Sequence, residues 1–209
     1  IAAATGVDAL AHAIECLTSK KANPFSDVFA MEAFELILKN IESACDGDMR
    51  AKQAMLIASY YAGVAIGASG TTGVHALSYP LGGRYHIAHG VANAIMLMPV
   101  MRFNEPAVRP IFSKAYDRVR ADGAFKTEAE KSSWILARME GIVRALDIPD
   151  NLAAFGVGEE AIDELVAAGM EVKRLLDNNI RPITANDARA MYSQVLAKVL
   201  EQGGNAQGA

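Results

Sequence analysis

From Ala54 to Gly83 the chain carries no Asp, Glu, Lys or Arg. A stretch of that kind suits either a membrane span or a protein interior. A span needs roughly 20 largely apolar residues. Here the apolar part ends near Ile66, and Gly67, Ser69, Gly70, Thr71, Thr72 and Gly73 follow. The segment therefore reads as a central helix buried on all sides that runs into a tight glycine-containing turn, with no membrane involved. Gly63-x-x-x-Gly67-x-x-Gly70 has no strand before it and no Lys-Ser/Thr after it. It is neither a dinucleotide fingerprint nor a P-loop, and reads as close helix packing.

The surrounding sequence is helical in period. Asn23-Pro24 opens a segment whose apolar positions Phe29, Ala33, Leu36, Ile37 and Ile41 recur at three- and four-residue steps. Asp46-Gly47-Asp48 closes it and starts the next helix, through Met55, Ala58, Tyr61 and Ala62. A further apolar stretch, Ala92 to Met101, is expected to end at Asn104-Glu105-Pro106. Thr127-Glu128-Ala129-Glu130 starts a helix that continues through Trp134, Ile135, Met139 and Val143 to Leu146. Gly158-Glu159-Glu160 and Thr184-Ala185-Asn186-Asp187 open two more, and the small polar tail from about residue 203 is expected to fray. No run of alternating strands appears. The expectation is a single all-α, bundle-like domain over residues 1–209.

Composition narrows the class of function. With 52% hydrophobic and 21% charged residues the chain is globular, and 209 residues bury a substantial core. A net charge of −4 offers no electrostatic reason for nucleic acid or an anionic membrane as partner. Cys16 and Cys45 are too few for a disulfide framework and point to a reducing cytoplasm. The first residue is Ile1 and no signal peptide is visible, so a processed product, a fragment or a separately expressed domain is expected.

The chemistry starts in "TGVDALAHAIE", residues 5–15. On a helix Asp8 and His12 project from one side, one turn apart, with Glu15 on that side too. Thr5-x-x-Asp8 also fits a helix N-cap followed by an acid in the first turn, and His12 a hydrogen-bonded histidine, so both readings stand for this helix alone. The other three histidines, His75, His86 and His89, lie in the glycine-rich apolar middle, the last two after an expected turn at Leu81-Gly82-Gly83, and an unpaired imidazole there is costly. One carboxylate with two or three imidazoles suits a divalent transition metal such as Fe²⁺, Zn²⁺ or Ni²⁺. No multi-carboxylate cluster for calcium and no thiolate set is present.

Three stretches carry a resemblance: "TGVDALAHAIE", "GVHALSYPLGGRYHIAHGVANAIMLMPVMRFN" and "LLDNNIRPITANDARAMYSQVL". Together they resemble the C-terminal half of iron-containing (group III) alcohol dehydrogenases, from Thr5 to about Leu200. The resemblance implies the helical C-terminal domain of the dehydroquinate synthase/iron-type alcohol dehydrogenase fold, without the α/β nucleotide-binding domain and its glycine-rich pyrophosphate segment. It implies a metal held by Asp8, His12, His75 and His89, with Fe²⁺ as the family's ion, and Glu15 and His86 behind them as residues that orient ligands. It also implies oxidation of an alcohol to an aldehyde or ketone by NAD or NADP, a small-molecule substrate and a homo-oligomer. Without the nucleotide domain this chain is expected to be inactive alone.

The chain departs from the family pattern in two places. Tyr79 stands where many members have histidine, as a cofactor- or substrate-facing residue or as a packed aromatic. Ala88 replaces a proline before the last ligand. His86, the non-ligand histidine, either shuttles a proton near the metal or is simply satisfied in its turn. Two other readings are kept: a helical metal-binding or scaffold domain without redox chemistry, and a metal-free helical interaction module.

Overall fold

The computed structural model describes the backbone of residues 2–120 and 122–202, and the side chains of those up to 196. The expected fraying from residue 203 lies outside the described residues. Among the described residues nine α-helices occur in the order α1 (Ala2–Leu17), α2 (Pro24–Cys45), α3 (Met49–Ser69), α4 (Gly73–Tyr85), α5 (His89–Val119), α6 (Glu128–Ala145), α7 (Ile162–Met170), α8 (Lys173–Leu176) and α9 (Ala185–Gln202). The only β pairing among them is an isolated bridge between Ser19 and Asn179. The all-α expectation holds.

Helix starts with a local chemical signal fall where the sequence puts them. The Asn23 side chain accepts from the Phe25 and Ser26 backbone N–H groups, both at 3.1 Å, and the Ser26 hydroxyl accepts from Asn23 N–H at 3.0 Å. Asp48 caps α3 through Ala51 N–H at 2.7 Å. Thr127 and Glu130 form the same reciprocal box at α6. Each satisfies donors that the first helical turn would otherwise leave without a partner.

Four boundary or burial expectations are corrected. Thr5 is not an N-cap: α1 already runs from Ala2, and the Thr5 hydroxyl donates to the Ala2 carbonyl at 3.1 Å. The Leu81-Gly82-Gly83 stretch stays helical in α4, and the chain turns instead at His86, in the left-handed region at φ 55°. α5 does not stop at Asn104-Glu105-Pro106 but continues through Pro99, Pro106 and Pro110 to Val119. Each proline removes one N–H donor, and tertiary bonds support the helix there. The Arg181 guanidinium donates to the Phe103 carbonyl and lies 4.0 Å over the Phe103 ring, while buried Asn104 and Asn179 exchange amide hydrogen bonds at 2.8 Å.

The fourth correction concerns α3, which is not buried on all sides. Its buried stripe is Ala51, Ala58, Ala62, Ala65 and Ser69, and it packs on α1 and α2. Leu56 and Tyr60 are 72% and 69% exposed. A Cβ built on Gly63 or Gly67 has nothing within 4 Å, so these glycines make no close packing among the described residues. Absence of charge misled here because alanines, not the larger apolar side chains, form the packing face. The element buried all round is the first half of α5, where every residue from Ala92 to Met101 is buried. No single described helix is long and apolar enough to cross a membrane; the charge-free segment is divided between α3 and α4, which meet at a 106° bend.

Two close approaches seat the helices that carry His75 and His89. A Cβ on Gly90 would run into the Ala4 carbonyl, so the start of α5 lies directly against α1. A Cβ on Gly73 would stand 2.7 Å from Ile183 Cδ1, which seats the start of α4 against the segment before α9. Gly63→Ala and Gly67→Ala are expected to stabilise the chain by about 0.5–1 kcal/mol each, because neither position is crowded and alanine is the better helix former. Gly90→Ala is expected to destabilise it by about 1–3 kcal/mol. Urea unfolding checks both, and an equal sign for the two classes would contradict the packing described.

Candidate metal centre

Asp8 and His12 occupy successive turns of α1, with Asp8 Oδ1 3.8 Å from His12 Nε2. The start of α4 brings His75 Nε2 to 3.8 Å from the same oxygen, and the first residue of α5 brings His89 Nε2 to 3.4 Å. The four ligand atoms lie within 4.8 Å of one another. A tetrahedral ion with bonds of about 2.1 Å has ligand–ligand edges of about 3.4 Å. Three nitrogens and one carboxylate oxygen at these separations therefore fit a divalent transition metal in donor type and in spacing. Among the described residues no other group of three or more His, Cys, Asp or Glu converges in this way. Cys16 is no competitor, since burial pushes its thiol up to about 12.

The site has a dry side and an open side. His75 is 2% exposed and His89 51%. The His12 and His75 rings stack at 4.6 Å with 18° between planes. Tyr79, on α4 one turn after His75, meets His75 edge-on at 6.2 Å and lies 6.1 Å from His89, with 43% of its surface exposed. His86 is exposed at the corner after α4 and is not one of the converging residues.

On the dry side Glu15 from α1 is fully buried, and the hydrogen bonds of its carboxylate all go to the start of α4. Its Oε1 accepts from Thr72 N–H (3.0 Å), the Thr72 hydroxyl (2.8 Å), Val74 N–H (2.8 Å) and His75 N–H (3.4 Å). Its Oε2 is in a short hydrogen bond with His75 Nδ1. Glu15 thus does for α4 what a capping side chain usually does, since Thr72 makes no cap bond of its own. With Nδ1–H donating to Glu15, the lone pair of His75 is on Nε2, facing the other ligand atoms.

Titration follows the same contacts. Burial alone pushes the Glu15 carboxyl up, but the charge and hydrogen bond of His75 and the bonds from Thr72 outweigh it and leave it below the usual carboxylate range. For His75 burial works downward and is overcome by Glu15, which leaves the ring above its ordinary value. His12 is lowered, first by burial, against the pull of Asp8.

Sequence reasoning missed Asn93. It lies on α5 one turn after His89 and is fully buried. Its amide Nδ2 is 2.6 Å from Asp8 Oδ1, 3.1 Å from His75 Nε2 and 3.2 Å from His89 Nε2. The i, i+4 spacing from His89 is the signal that was available.

Comparison with known proteins identifies the family of the chain. The model of the Fe-containing alcohol dehydrogenase family, C-terminal, matches residues 2–196. The chain is 37% identical to long-chain-alcohol dehydrogenase 1 of Geobacillus thermodenitrificans, over 94% of this chain and 50% of that protein. It is 32% identical to the NAD-dependent methanol dehydrogenase of Bacillus methanolicus, over 92% and 51%. Among solved structures, a 1,3-propanediol oxidoreductase superposes with a TM-score of 0.88 at 31% identity, over 93% and 51%. The chain spans about half the length of these relatives.

Removing one partner of a buried charged pair costs about 3–5 kcal/mol. Glu15→Ala is therefore expected to lower stability by about that amount, and Glu15→Gln by less, because the amide keeps one acceptor for Thr72 and Val74. Chemical denaturation measures both. A near-neutral Glu15→Ala would contradict the role given to this carboxylate.

Proposed function

The chain belongs to the iron-containing alcohol dehydrogenase family, matching its C-terminal part, and on that premise we propose that it is the metal-binding catalytic half of an NAD(P)-dependent alcohol dehydrogenase. The reaction is the interconversion of a small alcohol and its aldehyde or ketone. The observation that carries this reading is the convergence of Asp8, His12, His75 and His89 from three helices. These four would hold the ion, Fe²⁺ in this reading, with Zn²⁺ and Ni²⁺ also suited to the donor set. When bound, such an ion supplies Lewis acidity toward a substrate oxygen.

The chain's own residues have distinct tasks. Asp8 contributes the negative charge that offsets part of the ion's. Glu15 fixes the tautomer and direction of His75 from the dry side. Tyr79 and half-exposed His89 form the open side, where a small alcohol and the nicotinamide end of a cofactor have access. His86 stays a corner residue in this reading, with a left-handed backbone and an exposed position. The buried side chains form one cluster, which supports treating 1–209 as a single helical metal-binding domain. Two free thiols suit a reducing cytoplasm, and a homo-oligomer remains the expected assembly.

The competing reading is a helical metal-binding domain with no redox chemistry of its own. It is favoured by one observation: among the described residues no strand–turn–helix unit exists that would bind a dinucleotide pyrophosphate. The two readings agree on metal content and separate on alcohol oxidation once the chain is joined to a nucleotide-binding domain, which restores turnover only if this is the catalytic half of a dehydrogenase. Elemental analysis of the purified chain is expected to find about one equivalent of divalent metal, with most of it lost in Asp8→Ala and in His75→Ala. Unchanged metal in both variants would overturn the site. Alcohol-dependent reduction of NAD⁺ or NADP⁺ by these 209 residues alone is expected to be undetectable; measurable turnover would contradict the division of labour proposed.

A further inference from the structure

We propose that Asn93 is a positioning residue of this centre, which aims Asp8 and selects the ring tautomer of His89. The inference rests on the metal-binding reading of Asp8, His12, His75 and His89. Asn93 is fully buried, and each polar atom of its side chain is engaged at the site. Its carbonyl Oδ1 accepts from the Ser78 hydroxyl at 2.5 Å, and Ser78, three residues after His75 on α4, also reaches the His75 carbonyl at 3.1 Å. The Asp8 carboxylate decides the direction of the amide, because it only accepts and therefore faces Nδ2, which leaves Oδ1 to the Ser78 hydroxyl.

One amide nitrogen carries two hydrogens, and three acceptors stand within reach. The shortest contact, 2.6 Å, goes to Asp8 Oδ1, where the acceptor is a carboxylate and the bond is charge-assisted. The second hydrogen is shared between His75 Nε2 and His89 Nε2 at 3.1 and 3.2 Å. Both imidazoles therefore present Nε2 as an acceptor, with their proton on Nδ1. For His75 that choice is already made by Glu15. For His89 it is made by Asn93. An Nε2 has a single lone pair, which passes to an ion when one binds. Asp8 Oδ1 has a second, so the Asn93–Asp8 bond is the one compatible with a loaded site. Asn93 thus links α5 to α1 and α4 at the ligand atoms themselves.

The test is a Co²⁺ titration of the 209-residue chain, read by the visible absorption of the bound ion, which reports its coordination geometry, alongside thermal unfolding. Asn93→Leu is expected to weaken Co²⁺ binding by about 10–100-fold, the usual effect of removing a group that supports a ligand, and to change the absorption band. Ser78→Ala keeps the amide but releases its carbonyl end, and is expected to weaken binding by about two- to tenfold, in the same direction. If both variants bind Co²⁺ with wild-type affinity and spectrum while only their unfolding temperature falls, Asn93 is an ordinary buried amide and the inference is overturned. Should Asn93→Leu fail to fold, Ser78→Ala decides by the same criterion. A wild-type chain that takes up no Co²⁺ overturns the metal reading and this inference together, whereas wild-type uptake with unaffected variants overturns this inference alone.

Discussion

The site depends on a carboxylate that water does not reach. Burying an isolated carboxylate costs several kcal/mol, and Glu15 is held by donors from a single neighbouring segment, the corner from Thr72 to His75. Those donors belong to the start of a helix, where backbone N–H groups lack partners and the dipole favours negative charge. One side chain thus satisfies the end of α4, joins α4 to α1 and sets the direction of His75. Removing it would leave both a helix end and a ligand without support.

Around that link, geometry is supplied by helix segments that are tightly seated. α1 provides two of the converging groups through its own period, Asp8 and His12 one turn apart. α4 and α5 each provide one from their first turn, where a small change in the approach of the helix moves the side chain most. The approach is fixed by glycines, Gly73 against Ile183 and Gly90 against the Ala4 carbonyl. The Asn178 amide adds a hydrogen bond to the Thr71 carbonyl at the same corner. The bend of 106° between α3 and α4 is what allows a charge-free run to serve two purposes. Its first helix forms part of the packing, and its second delivers His75 to Asp8, His12 and His89.

Legibility in the sequence followed the range of the physics. Helices opened by their own caps, at Asn23, Asp48, Thr127 and Thr184, were readable because the signal lies within four residues of the event. The end of α5 was not, because the helix runs on past Pro106 beside contacts to Phe103 and Asn104 from Arg181 and Asn179, which are remote in sequence. Nor was the face of α3, since the absence of charge does not say which side of a helix packs. The convergence of Asp8, His12, His75 and His89 was legible because histidine is scarce here and its placement resembles a family pattern. Asn93 and Ser78 were not, because an amide or a hydroxyl acquires its role only from the atoms folding places around it. The expectation for Glu15 as an orienting residue held in geometry, whereas its second task, closing the start of α4, came from the structure.

The most direct test is X-ray absorption at the metal edge of the iron- or zinc-loaded chain, which counts and identifies the ligating atoms. The expected spectrum shows only nitrogen and oxygen donors at about 2.0–2.2 Å, with outer-shell scattering from three imidazole rings. A sulfur donor, or scattering from fewer than three rings, would contradict a centre built from Asp8, His12, His75 and His89.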